Sequence, residues 1–106
     1  MMSTDARDQA LGRLGEVRER FAARLRLRLA ELGELVEAAQ RQASRGQLAE
    51  AVGAAHRLAG TAGSYGYVEV GEAAAGLERA LQRIAGGEDE WAAALDALAR
   101  ARRRGE

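Results

Sequence analysis

The sequence predicts an all-α fold, an antiparallel up-down-up-down four-helix bundle with a short leading N-terminal helix. Three observations carry this. Ala, Leu, Arg and Glu dominate the 106 residues, and all four are among the best helix formers. Only eight residues are β-branched (five Val, one Ile, two Thr), too few for a sheet. Apolar residues recur in steps of three and four along four segments, and the connections between these are short enough to force antiparallel neighbours.

The elements follow in order, with helices expected at about 5–15, 17–44, 47–65, 68–85 and 88–104 of one domain spanning 1–106. The first long stripe is Val17, Phe21, Leu25, Leu29, Leu32, Val36, Ala39 and Ala43, ending where Gly46 can take a left-handed cap. Leu11 and Leu14 continue its register upstream, and Thr4-Asp5 can cap a start there. One unbroken helix from Asp5 to Ser44 would be about 60 Å long, twice the other segments. A break or bend is therefore expected near Gly12 or Gly15, leaving a leading helix that overhangs or covers one end. The second stripe is Leu48, Ala51, Ala55, Leu58, Ala62 and Tyr65, closed by Gly66. The third is Val70, Ala73, Ala74, Leu77, Ala80, Leu81 and Ile84, closed by Gly86-Gly87. The fourth is Trp91, Ala94, Leu95, Leu98 and Ala101, with Glu88, Asp89 and Glu90 in its first turn and Arg in its last, so both ends suit the helix dipole.

Composition narrows the function classes. There is no Cys, so disulfides and thiolate metal sites are excluded. There is no Lys, and sixteen Arg balance sixteen acids. That balance argues against nucleic acid as the main partner. The run Arg100-Ala101-Arg102-Arg103-Arg104 reads either as a helix C-terminus offsetting the dipole or as a phosphate-binding tail, with the first favoured. The longest uncharged stretch, Leu58–Val68, is eleven residues with three Gly. A membrane helix needs about 20 apolar residues, so no membrane partner is expected. The opening residues do not read as a signal peptide, and a cytoplasmic protein is the default.

The single histidine marks the informative face. At 100° per residue, His56 lies about 130° from the centre of the second stripe and should point to solvent. Its neighbours on that face are Ala49, Val52, Gly53, Ala59, Gly60 and Gly63. Solvent faces of stable helices usually carry long polar side chains, and each interior Gly costs about 0.5–1 kcal/mol relative to Ala. Access for another molecule is a physical reason to tolerate that cost. A lone surface histidine and glycines used for helix packing are the plainer alternative. One His with no second ligand on its face does not make a metal site, and Ser64 lacks the strained elbow of a nucleophilic serine.

A neutral imidazole is a nucleophile near neutral pH. If the hairpin pivots near Gly66, His56 faces the region of Gly76, with Glu78 within about half a turn. Glu78 can then accept from Nδ1–H, free Nε2 and support charge on the ring. An ordinary surface glutamate paired with Arg79 or Arg83 is the other reading. The residue four positions on is Gln82, which forms no ion pair.

The segment Ala55-His56-Arg57-Leu58-Ala59-Gly60-Thr61-Ala62-Gly63-Ser64-Tyr65-Gly66 resembles the motif of histidine-containing phosphotransfer (HPt) domains: His, any residue, Leu, Lys, Gly, five residues, Gly. The matches are His56, Leu58, Gly60 and Gly66. The Leu77-Glu78 pair is similar to a Leu-Glu pair that the family carries on the next helix. The resemblance covers nearly the whole chain. It implies a phosphorelay intermediate whose His56 takes a phosphoryl group from a receiver aspartyl phosphate or a kinase and passes it to a receiver aspartate. Glu78 would orient the ring. Val52, Gly53, Arg57, Ala59, Gly60, Gly63 and Ser64 would meet the partner, with Val52 and Ala59 as an apolar rim. The implied partners are a response-regulator receiver domain and a hybrid histidine kinase. No cofactor of the chain's own is expected, Mg²⁺ belonging to the receiver, and with no nucleotide-binding loop the chain should be a phosphocarrier rather than a kinase. The family's usual Lys is Ala59 here, so neutralising charge must come from Arg57 or from the partner.

Two other classes stay open on the sequence. A phosphate-independent docking module would keep the bundle and bind a receiver or another signalling partner, and Ala59 favours it. A self-assembling scaffold would need a second apolar stripe, for which Leu27 and Leu35 are partial candidates.

Overall fold

A computed structural model describes residues 4–42 and 44–106, with the side chains of residues 4 and 5 excepted. Four helices follow one another: α1 (Thr4–Gln42), α2 (Arg45–Ser64), α3 (Val68–Ala85) and α4 (Trp91–Arg104). They pack as an antiparallel bundle, α2 against α3, α3 against α4, and α1 against α2 and α4. No strand is formed among the described residues.

The expected stripes form the core. Phe21, Leu25, Leu29, Leu32, Val36 and Ala39 of α1 are buried with Leu48, Ala51, Ala55, Leu58 and Ala62 of α2. Val70, Ala73, Ala74, Leu77, Ala80 and Leu81 of α3 and Ala94, Ala97, Leu98 and Ala101 of α4 complete it. Ile84 and Trp91 are partly buried against its edge. No charged or polar side chain is buried among the described residues.

The leading segment departs from expectation. There is no break at Gly12 or Gly15; α1 is a single 39-residue helix, and the molecule measures 62 × 19 × 18 Å. A glycine costs a helix only about 1 kcal/mol, whereas a turn would forfeit several helical hydrogen bonds. A Cβ at either glycine would meet nothing within 4 Å, so no neighbouring element presses on the chain there. The first turns of α1 therefore overhang the bundle, leaving Leu11, Leu14 and Val17 exposed. The side chains of the suggested Thr4-Asp5 cap, and Ala43 with its expected core position, lie outside what is described.

The helix ends show smaller differences. Gly46 does not take a left-handed cap. It lies in the first turn of α2, which Ser44 caps by accepting from the Gln47 N–H at 3.2 Å. Positive φ angles occur at Gly66 (86°) and Gly87 (100°), where α2 and α3 end, and glycine meets that demand without steric cost. Glu88, Asp89 and Glu90 precede the first turn of α4 rather than occupying it. Tyr65, expected in the core, is 54% exposed. It follows the last turn of α2 and stacks on Phe21 with ring centroids 3.9 Å apart, closing the end of the bundle from outside. In the last turn of α4, Arg104 bonds Glu69 at 2.8 Å, and the Arg102 guanidinium lies over Gly33 where a Cβ would collide with it.

Candidate functional site

The site is built on the α2–α3 hairpin. Two helices approach closely only where their facing side chains are small. Gly71 supplies that here: a Cβ added to it would lie 3.1 Å from the Ala59 carbonyl oxygen and 3.4 Å from the Gly63 nitrogen, both rigid backbone atoms. Gly71 was not singled out by sequence. The available signal was its spacing, since Gly71, Ala74, Ala75 and Glu78 fall at i, i+3, i+4 and i+7 on one face of α3.

The seam fixes the register. Gly63 stands by Gly71, and one helical repeat further His56 stands by Glu78. Both pairs are symmetric about residue 67, one position beyond the pivot expected at Gly66. That shift makes Glu78, rather than Gly76, level with the histidine.

His56 Nδ1 is 3.0 Å from Glu78 Oε2 and 3.3 Å from Oε1. An ionised carboxylate only accepts, so Nδ1 holds the hydrogen and donates it. In the neutral ring Nε2 then carries a free lone pair. The imidazole is 74% exposed, whereas Glu78, wedged against the hairpin, is 20% exposed. Glu78 forms no ion pair with Arg79 or Arg83 within 4 Å.

The other singled-out residues divide into four groups. Gly60 and Gly63 are exposed, and a Cβ at either would meet nothing within 4 Å, so the surface after His56 is open. Val52 and Ala59 are partly buried against the core, so only part of each remains for an apolar rim. Arg57 is exposed and folds back along α2, its Nη1 3.2 Å from where a Cβ of Gly53 would be. It makes no ion pair within 4 Å, and with Arg28 and Glu31 it lines a shallow groove between α1 and α2. The Ser64 hydroxyl donates to the Gly60 carbonyl at 2.9 Å, which ties it to the helix backbone.

Among the described residues, no group of three His, Asp or Glu side chains is close enough to ligate a metal ion. No helix among them is long and apolar enough to cross a membrane.

Comparison with known proteins gives one match. A family model described as the Hpt domain covers residues 16–104. No curated protein and no solved structure matches the chain. The match takes in all of α2, α3 and α4 and the part of α1 that packs on them. With its antiparallel helices and its exposed, carboxylate-bound histidine on the hairpin, this chain belongs to the histidine-containing phosphotransfer (Hpt) domain family.

Proposed function

We propose that His56 is the phosphoryl carrier of this phosphotransfer module, taking the group from a receiver aspartyl phosphate or a kinase and delivering it to a receiver aspartate. The observation that carries this reading is the exposed ring held at Nδ1 by Glu78, with Nε2 free beside the bare Gly60–Gly63 surface.

In the forward step the Nε2 lone pair attacks phosphorus. The N–P bond forms as the acyl phosphate P–O bond breaks, and the receiver recovers a carboxylate. The ring becomes a phosphoimidazolium that keeps its Nδ1 hydrogen, and Glu78 accepts from it more strongly once the ring is positive. In the return step a receiver carboxylate attacks phosphorus and the N–P electrons go back to Nε2. Transfer of this kind relies mainly on positioning and charge stabilisation.

The receiver contributes Mg²⁺ and its acidic pocket. This chain contributes a fixed nucleophile with room around it. Gly53, Gly60 and Gly63 admit receiver loops, Val52 and Ala59 offer an apolar margin, and Ser64 lies at the far edge of the contact. Arg57, whose Nη1 lies over Gly53, is the nearest cation in sequence to His56 and would have to swing from the α1 side of α2 to supply the positive charge that Ala59 cannot. Such a carrier needs no nucleotide site of its own and works in the cytoplasm alongside its receivers.

The test is incubation with a phosphorylated receiver, or with a histidine kinase and ATP. The protein should acquire acid-labile, base-stable phosphate, and His56→Gln should abolish it. Label that persists in the mutant would place the chemistry on another residue. Signalling that survives His56→Gln would identify a phosphate-independent docking module instead.

A further inference from the structure

The overhang of α1 carries a second surface, unconnected with His56. The residues before Phe21 extend past the Tyr65–Phe21 stack at the end of the bundle, and the first twelve of α1 precede the segment the family model covers. The overhang keeps the register of the core stripe without any neighbour to cover it. Leu11 is 60% exposed, Leu14 57% and Val17 43%. At 100° per residue all three lie within about 60° of the Leu14 direction, the direction that Leu25 and Leu32 share lower down α1.

Charge on the overhang is sorted by face. Arg7, Arg18 and Arg13 fall about 20°, 40° and 100° from Leu14, whereas Glu19 and Glu16 fall about 140° and 160° away. Arg20 and Asp8 sit at the boundary, about 120° to either side. Among the described residues, Arg7, Arg13 and Arg18 make no ion pair within 4 Å. Arg7 and Arg18 thus share the sector of the apolar residues and Arg13 lies beside it, while Glu16 and Glu19 are turned away.

We propose that this strip docks an acidic amphipathic helix of a partner protein, apolar along its centre and lined with Asp or Glu. Such a helix would lie along the exposed Leu14–Val17 seam and extend the bundle, its carboxylates meeting Arg13 and Arg18. Charge complementarity of this kind sets partner choice and association rate. A second copy of this chain is the wrong occupant. With Leu14 and Val17 on the seam, Arg13 and Arg18 occupy the flanking positions, so a parallel pair sets Arg13 against Arg18 of the other copy. An antiparallel pair sets the Arg13 edges against each other. An anionic lipid surface fits less well, because the strip is narrow and holds no aromatic anchor.

The test uses the full chain and a synthetic three-heptad peptide with Leu at positions a and d and Glu at e and g. By titration calorimetry the peptide should bind at least about tenfold tighter than its counterpart with Lys at e and g. Binding should weaken as salt is raised, vanish in Leu14→Asp, and fall in Arg13→Glu/Arg18→Glu. Circular dichroism should show both variants as helical as the parent. His56→Gln should bind the peptide unchanged, which separates this surface from the phosphotransfer reading. Equal affinity for the two peptides, no binding to either, binding only to phosphatidylglycerol vesicles, or a sedimenting dimer that Leu14→Asp dissociates would each overturn the proposal.

Discussion

The two faces of α2 are both built from small residues, and the smallness serves opposite ends. On the inner face Ala51, Ala55 and Ala62 are fully buried alongside Leu48 and Leu58. Short side chains there let helix backbones come together, as they do where Gly71 meets Ala59 and Gly63. On the outer face Gly60 and Gly63 border open space, and nothing in the fold occupies it. A missing side chain beside another backbone is packing; beside solvent it is clearance. The histidine belongs to the second face, held from the side by a carboxylate that the first kind of packing positions.

Filling the clearance should have the largest effect on that contrast. Gly60→Leu places a branched side chain one turn from His56, where an added Cβ meets no atom of the chain within 4 Å. The thermal melt should stay near the parent's. Phosphotransfer from a receiver should slow by at least about tenfold, because a reacting geometry displaced by about 1 Å can lose a hundredfold. Rapid-quench measurement of the label on His56 checks this. Unchanged transfer would mean that the bare face is not where the partner approaches.

A smaller effect tests the link between the faces. Glu78→Ala removes the acceptor from Nδ1 while the hairpin seam stays. The bond lies at a largely exposed ring, so it is worth about 0.2–1 kcal/mol. Transfer should slow by about 1.4- to fivefold on that basis, with helix content intact by circular dichroism. Glu78→Gln keeps an acceptor without charge and should recover part of the loss if orientation matters. Slowing that merely tracks unfolding would make Glu78 a structural residue.

Periodicity made most of this legible. Burial of a helix face is a repeated, local signal, so the stripes from Phe21 to Ala39 and from Leu48 to Ala62 could be read residue by residue. The histidine's outward direction followed from the same arithmetic. Its partner was reached because a short connection leaves α3 few registers, although centring on Tyr67 instead of Gly66 depended on turn geometry that no side-chain pattern encodes. The misplaced features have a common cause. Gly12, Gly15 and Gly46 suggest breaks or caps in the sequence, but glycine permits a break without requiring one, and only Gly66 and Gly87 meet a demand for positive φ. Tyr65 and the stripe of Leu11, Leu14 and Val17 were in phase with the core but past the end of their neighbours. Where a bundle stops is a property of all its helices together. Gly71 escaped notice because its role depends on which backbone lies opposite.

The same substitution at two glycines separates clearance from packing most sharply, with the smallest effects on transfer. Gly60→Ala adds a methyl group to open space and should stabilise the fold by about 0.5–1 kcal/mol through helix propensity alone. Gly71→Ala gains the same propensity but drives a methyl against the Ala59 carbonyl at 3.1 Å, a neighbour that cannot rotate away. Overpacking costs about 1–3 kcal/mol, so the gain should disappear and the melting temperature should fall or stay level while that of Gly60→Ala rises. At about 4–8 °C per kcal/mol for a domain near this size, paired thermal melts resolve the difference. The consequence for chemistry is also directional. Spreading the seam at Gly71 lengthens the His56–Glu78 contact two turns away, so Gly71→Ala should slow transfer by no more than Glu78→Ala does, and the two substitutions together should slow it no further than Glu78→Ala alone. Additive slowing would show that the seam acts on His56 by a route other than its carboxylate.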